Sequence, residues 1–131
     1  MTFEEQLYNY LSADTALTAL VGKRIYPEGE VPQKPGKPYC VFSRVFSERV
    51  YSHQGYSGLE DVALQVNCYS ETALQARQVS IKLTTAMEAW PAANSSVGKV
   101  LRGDSKSLYD GELDLHFQMV EFSISHGFDE S

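Results

Sequence analysis

Three histidines are the side chains in this sequence most suited to acid–base or metal chemistry. His53 falls in a polar segment, His116 on the polar side of a predicted strand, and His126 close to the end of the chain. A metal site or an acid–base catalyst needs such groups to converge. Their scatter favours solvated or edge histidines, so we expect no metal ligand and no catalytic residue.

Other patterns that resemble catalytic motifs are incomplete. Residues 55–58 (GYSG) begin like the turn that carries a hydrolase nucleophile, but position 59 is Leu59 where that motif needs glycine. The adjacent acids at 4–5 and 60–61 point to different faces of their elements, unlike paired catalytic carboxylates. No glycine-rich phosphate loop is present in the sequence. We therefore expect a protein without enzymatic activity and without a cofactor.

Cys40 and Cys68 both fall inside predicted strands, where a reduced cysteine packs as a small apolar side chain. A disulfide is the alternative, whereas a zinc site would need histidines at a spacing that is absent. The first residues are acidic and lack the basic and apolar regions of a signal peptide. No apolar run approaches the ~20 residues of a membrane span. We expect a cytosolic chain with reduced thiols and no membrane partner.

With 131 residues, the chain is expected to form a single domain over 1–131, with 126–131 as a frayed tail. The formal net charge of −6 argues against a nucleic-acid partner, including a sequence-specific one, because such proteins need a cationic surface.

The segment from Leu59 to Trp90 predicts a strand that runs into a long amphipathic helix. Its first part alternates apolar and polar residues, which is typical of a half-buried strand. Residues 70–72 can cap the helix, and Pro91 is expected to end it. The apolar positions are Val62, Leu64, Val66 and Cys68 in the strand and Leu74, Val79, Leu83, Met87 and Trp90 in the helix.

Two shorter helices are predicted nearer the start. Thr2 and Glu5 form a capping box, and Asp14 can cap a second helix that Gly22 ends in a left-handed conformation. Their apolar positions are Phe3, Leu7, Tyr10 and Leu11 in the first helix and Leu17, Leu20 and Val21 in the second. Residues 23–26 predict a short strand that Pro27 cuts off.

The middle of the chain predicts a strand between two loops. Residues 27–38 hold four prolines and form an extended connection. Residues 39–46 are apolar on both faces, so this strand is expected to be central and covered on both sides. Residues 47–58 are polar and predict a loop or a long hairpin tip.

The last third predicts a weaker strand at 97–103, a turn at Asp110-Gly111, and a final strand. In that strand the apolar residues shift from odd to even positions, which indicates a bulge or a change of the covered face. The whole pattern predicts an α+β fold: an antiparallel or mixed sheet of four to five strands, two or three helices on one face, and long loops.

Charge is divided between two regions. Residues 23–49 are net positive, whereas the chain from Asp110 onward contains six acids and no lysine or arginine. Ordinary surface charge is one interpretation. The other is that the two regions meet between identical copies in a head-to-tail contact that could close a ring.

The order of these features resembles the tail-completion, or tail-terminator-like, family of long-tailed bacteriophages and prophages. The matching features cover most of residues 1–90. They are the opening helix with LSAD at 11–14, LVGKRIYP at 20–27, the approach to Pro38-Tyr39, LQVNCYS at 64–70, and the helix at 73–86.

This resemblance implies a structural subunit that forms rings, often hexameric, at the head-proximal end of the tail tube. Its partners would be other copies of itself, the tail tube protein and the head–tail connector, first in the host cytoplasm and then in the virion. Our candidates for assembly contacts are the loops at 28–37 and 48–58, with Arg49 and Tyr51 as the foremost residues because arginine and tyrosine often carry binding energy. The full set is Arg24, Arg44, Arg49, Tyr51, His53, Asp110 and Glu112.

Two other hypotheses stay open at this stage. One is a head–tail adaptor or the tube subunit itself, which would polymerise into filaments. The other, from a different class, is a cytosolic ligand-binding or enzymatic domain with Cys68, Tyr69 or His116 lining a pocket. It predicts a deep cavity and a monomer or dimer.

Overall fold

The computed structural model describes residues 2–52 and 55–127, without the side chains of 46–52 and 55–59, and shows three helices and five strands there. The helices are α1 (Phe3–Ser12), α2 (Thr15–Val21) and α3 (Ala73–Ala93). The strands are β1 (Ile25–Pro27), β2 (Tyr39–Ser52), β3 (Gly55–Ser70), β4 (Val97–Asp110) and β5 (Leu115–His126). The predicted α+β class is confirmed.

The five strands form one mixed sheet in the order β1-β2-β3-β5-β4. Strand β1 runs parallel to β2, and all other neighbours are antiparallel. The predicted strand at 39–46 is therefore flanked on both sides only over residues 40–42, where the short β1 pairs with it.

Capping residues set the helix starts as the sequence predicts. Thr2 and Glu5 form the reciprocal capping box of α1, and the Asp14 carboxylate accepts from the N–H of Leu17 at the start of α2. Gly22 ends α2 with a φ of 59°, a backbone conformation that favours glycine. The Thr72 hydroxyl accepts from the Gln75 N–H at the start of α3.

The core lies between the helices and one face of the sheet. On β3 the even positions from 62 to 68 are buried and the odd positions are half-buried or exposed, as the alternation predicts. Side chains from all three helices join them in one cluster. Its largest fully buried members are Trp90, Phe3, Phe42, Leu7, Leu11, Leu17, Ile25, Leu64, Leu83, Met87 and Ile124.

Two predictions for α3 are wrong. Pro91 does not stop the helix, which continues to Ala93 and ends where the Asn94 N–H donates to the carbonyl of Trp90. A proline this close to the end removes only one helical hydrogen bond, so the last turn survives. Leu74 is 68% exposed, because the buried face of α3 begins at Ala76 and runs through Val79 and Leu83.

The segment at 47–58 belongs to a hairpin, the second of the two predicted alternatives. Strand β2 continues to Ser52, and β3 begins at Gly55. At the same end of the sheet, where His126 pairs with Glu60, the prediction of a frayed tail from residue 126 is wrong for His126. That side chain is the last of β5, is fully buried, and stacks on Phe3 with ring centroids 4.9 Å apart.

The shift of apolar positions in the last strand reflects a change of face. β5 pairs with β3 in continuous register from His116 to His126, so no bulge interrupts that ladder. Even positions from 118 onward face the core, whereas Phe117 and Met119 lie on the opposite face. β4 instead carries two register shifts against β5, one between Val97 and Lys99 and one between Arg102 and Ser105.

The two edges of the sheet differ. β4 is a 14-residue strand paired only with β5 among the described strands. At the other edge, β1 has three residues and ends in Pro27, which has no N–H to donate. β2 carries a register shift between Arg44 and Phe46, just beyond the part that β1 covers.

Candidate functional site

The face of the sheet opposite the helices carries a row of large side chains that crosses all five strands. Strand register places Leu108, Phe117, Tyr69 and Tyr39 side by side on β4, β5, β3 and β2, and Tyr26 on β1 completes the row. We call this the outer-face row. Three helices cover the other face, so the row depends on loops or on another molecule for cover.

Ring contacts make the row continuous. The rings of Tyr39 and Tyr69 are nearly parallel, with centroids 5.0 Å apart. The Phe117 ring is tilted against Tyr69, with a centroid distance of 4.9 Å. Tyr26 follows at 6.1 Å from Tyr39 in a tilted arrangement. Offset or tilted pairs at these distances add to the stabilisation that burial of the rings supplies.

Burial and nearby acids raise the pKa of the two tyrosine hydroxyls at the centre of the row. Burial raises the pKa of Tyr39, and the neighbouring Tyr69 and Asp110 raise it further. Burial also raises the pKa of Tyr69, opposed by a hydrogen bond with Asn67 and assisted by Asp110 and Glu28. The phenols are therefore neutral hydrogen-bonding groups at physiological pH.

Two connections frame the row. The proline-rich segment at 27–38 and Leu113, in the turn between β4 and β5, border a cavity of about 330 Å³ above Tyr39 and Tyr69. They bury Tyr39 to 3% exposure. Toward β4 and the far end of β2 this cover ends, and Leu101, Leu108 and Val45 are 51%, 41% and 65% exposed. The prediction that the strand at 39–46 is covered on both sides is therefore wrong at Val45.

Arg24 and Arg44 both make contacts within the subunit. Arg24 Nε donates to the Pro38 carbonyl at 2.9 Å, so the residue ties the end of α2 to the end of the proline-rich segment. Arg44 lies on the helix side, where its Nε is 3.0 Å from the Glu4 carboxylate and its guanidinium lies over the Phe3 ring. Sequence reasoning missed these internal roles because they depend on the docking of α1 and the loop.

The remaining candidates fall into two groups. Arg49 and Tyr51 lie on β2 in the hairpin, where side chains are outside the description, and His53 lies outside the described residues. Asp110 and Glu112 lie in the turn between β4 and β5, far along the sheet from that hairpin. One carboxylate oxygen of Asp110 already accepts hydrogen bonds within the turn, from the N–H groups of Glu112 and Leu113.

The residues proposed for a catalytic pocket do not converge. Cys68 faces the core, where its sulfur is 3.7 Å from that of Cys40, and both thiols are free and fully buried. That contact and burial raise the pKa of the Cys68 thiol well above its usual range. Tyr69 points to the opposite face, because neighbouring residues of a strand alternate. His116 lies against Tyr109 at the β4 edge.

Two further properties concern the described part of the chain alone. It contains no group of three or more histidine, cysteine or acidic side chains placed to hold a metal ion. None of its helices combines the length and apolar character needed to cross a membrane.

Comparison with known proteins places this architecture. Residues 5–127 match the family model described as Tail completion protein gp17. A chain of the solved structure "Virion of native gene transfer agent (GTA) particle" is similar in fold, with a TM-score of 0.76 at 16% sequence identity. The alignment covers 95% of this chain and 94% of that chain. No curated protein matches this sequence.

The family match and the fold agree on the same span of sequence. It runs from α1 through the end of β5 and includes the helices, the sheet and both framing connections. The chain therefore belongs to the tail completion protein gp17 family, whose members are structural proteins of phage tails.

Proposed function

We propose that this chain is a ring-forming subunit, with a hexamer as the expected ring, that caps the head-proximal end of the tail tube and joins it to the head. The observation that carries the proposal is the one-sided cover of the sheet. Three helices cover most of one face, while Leu108 at the β4 end of the outer-face row and its exposed neighbours Leu101 and Val45 remain for a second molecule. Apolar surface of this kind is typical of assembly interfaces.

The family match and the similar fold of a virion chain support a place in such a particle. The partners follow from that position: other copies of this chain, the tube protein below and the connector above. Assembly would take place in the host cytoplasm, before the finished tail enters the virion.

A direct test replaces the exposed apolar groups of the outer face. Leu101→Asp with Leu108→Asp adds charge where the row would be covered, and charge buried without a partner opposes association. We expect the wild-type chain, coexpressed with its tube protein, to form rings on tube ends in electron micrographs, and the double variant to lose them.

The control is Ala16→Asp, an exposed apolar position in the first turn of α2 on the helix side, outside both the outer face and the β4–α3 surface. It should leave the rings intact. Rings that survive the outer-face substitutions, or that never form on wild-type tube ends, would contradict the proposal. Long filaments of the purified chain alone would favour the tube-subunit alternative.

The hairpin and the proline-rich segment are our proposed contacts with the tube or the connector. Tyr51 lies on the part of the hairpin where β3 residues 55–59 pair with β2 and not with β5, and Arg49 lies just before it, opposite Glu60. Arg49→Glu with Tyr51→Ala should block joining of heads to tails in an assembly assay. Normal joining by this variant would exclude both residues from the contact.

A further inference from the structure

A second open surface lies on the helix side of the sheet, between α3 and the edge strand β4. It is a groove of about 440 Å³, with Arg77 and Ile81 on its α3 wall and Arg102 and Ser105 on its β4 wall. We call it the arginine groove. None of its described lining residues carries a carboxylate. Within the described residues neither guanidinium has a hydrogen-bond or ion-pair partner.

Most hydroxyl groups of the groove already donate hydrogen bonds within the chain, so the guanidinium groups are its main hydrogen-bond donors for a ligand. On α3, Thr84 and Thr85 donate back to helix carbonyls, so their protons are already used. On the sheet, Gln118 joins Ser105 and Ser107 with two contacts of 2.6 Å and is only 6% exposed. A rigid pocket edge with two free guanidinium groups suits carboxylates, which arginine can hold with paired hydrogen bonds.

The turn between β4 and β5 has the matching chemistry. Residues 110–114 (DGELD) carry three carboxylates and one apolar side chain, Leu113, which is 51% exposed. Its shape is fixed in advance, because Asp110 accepts from two backbone N–H groups and the Tyr109 hydroxyl donates to Asp114. A preformed turn loses little conformational entropy on binding.

Complementarity extends to the apolar groups. Ile81 at the rim of the groove is 54% exposed, which resembles the exposure of Leu113 between the acids of the turn. The net charge of −6 makes a nucleic acid a poor occupant, because its phosphates would be repelled by the chain as a whole. An acidic, partly apolar protein segment fits better.

The turn does not line the groove of its own molecule. Asp110 and Arg102 belong to the same strand and are eight residues apart, which corresponds to roughly 26 Å at the usual rise per residue. The turn also lies toward the outer face, where Leu113 borders the cavity above Tyr39, whereas the groove opens on the helix side. Surfaces that differ in position and direction are suited to a head-to-tail contact between copies.

We propose that the arginine groove receives the 110–114 turn of a second copy of this chain, with the contact repeating around the assembly. This inference rests on the ring proposed above and names the contact within it. The sequence suggested residues 23–49 as the basic surface that meets the acidic region of another copy. In the contact proposed here, Arg77 and Arg102 form that basic surface instead.

Cross-linking between two variant chains tests the contact directly. Ser105→Cys places a thiol in the groove and keeps both arginines, and Gly111→Cys places one in the turn and keeps all three acids. A methyl carbon at Gly111 would come no closer than 4.0 Å to Tyr109, so the turn tolerates it. Cys40 and Cys68 are fully buried and stay unreactive. With a short bis-maleimide, we expect a covalent dimer in the mixture and in neither variant alone.

Charge exchange then separates the proposed contact from simple proximity. Arg102→Glu in the groove chain or Glu112→Arg in the turn chain should each reduce the dimer yield about tenfold, and combining them should restore it. Lys82→Glu, on the exposed face of α3 outside the groove, is the matched control and should leave the yield unchanged. A purely structural role for Arg102 would not produce rescue.

Each other outcome is decisive. No dimer from the two cysteine chains, or a yield that ignores both charge reversals, overturns the contact. Binding of a DNA duplex that Arg77→Glu with Arg102→Glu abolishes, without effect on cross-linking yield, assigns the groove to a polyanion and also overturns it. Rings on tube ends without a cross-link refute this contact alone, whereas a cross-link without rings refutes only the ring.

Discussion

Tyr69 lies at the centre of the outer-face row, with a ring on either side. The folded state raises the pKa of this phenol and of Tyr39, chiefly by burial. The unfolded chain therefore loses these protons first as the pH rises. The stabilisation is complete below the ordinary tyrosine pKa of about 10 and is lost as the pH rises through the folded-state pKa.

Replacing Tyr69 with phenylalanine should separate stacking from ionisation. Tyr69→Phe keeps the ring contacts, so the free energy of unfolding near neutral pH should stay within about 1 kcal/mol of wild type, the usual cost of one hydrogen bond. Above about pH 10 the variant should lose stability less steeply with pH. Urea denaturation followed by circular dichroism measures both slopes. Tyr8→Phe on α1 is the control, and equal alkaline slopes for Tyr69→Phe and wild type would contradict this account.

At the scale of elements, α3 has two leucines that we expect to contribute very different amounts to the free energy of unfolding. Leu83 is fully buried against the sheet, whereas Leu74 is 68% exposed in the first turn. Leu83→Ala should lower the free energy of unfolding by about 2 to 5 kcal/mol, because it leaves a cavity in the core. Leu74→Ala should change it by no more than about 0.5 kcal/mol, as exposed positions usually do. Similar losses in chemical denaturation would mean that the buried face of α3 is assigned wrongly.

Periodicity predicted the elements where burial is one-sided and caps are local. The alternation from Val62 to Cys68, the capping box at Thr2 and the cap at Asp14 are confirmed for this reason. It failed where neighbours decide the outcome. Leu74 has helical spacing but lies outside the reach of the sheet, and a polar composition at 47–58 did not distinguish a loop from a hairpin.

Strand register explains why the outer-face row could not be predicted. Its members are distant in sequence and meet only because β2, β3, β5 and β4 pair in a particular alignment. A shift by one residue would send each side chain to the opposite face. The charge division was visible in the sequence, but the internal contacts of Arg24 and Arg44 were not, because they depend on how loops and helices dock.

At the scale of the whole molecule, the proposed contact between copies predicts sensitivity to salt. Carboxylates and guanidinium groups at a partly exposed contact attract each other less as ionic strength rises. Raising sodium chloride from about 0.05 M to about 0.5 M should therefore weaken association of the wild-type chain. Sedimentation at several protein concentrations measures this. Arg102→Glu should show a smaller response, and unchanged wild-type association would argue for a contact that is apolar throughout.

The unequal edges of the sheet bear on how the chain stays soluble before it is used. One edge is blunted by a three-residue strand ending in Pro27 and by the irregular pairing beyond Arg44, whereas β4 offers a long rim. Two β4 rims could pair with each other, but extension into a fibril would also need the other edge, which is a poor template. The blunted edge thus protects newly synthesised chains from edge-to-edge association into fibrils. In the ring proposed above, association would rely on side-chain contacts, which can form, dissociate and correct errors during assembly.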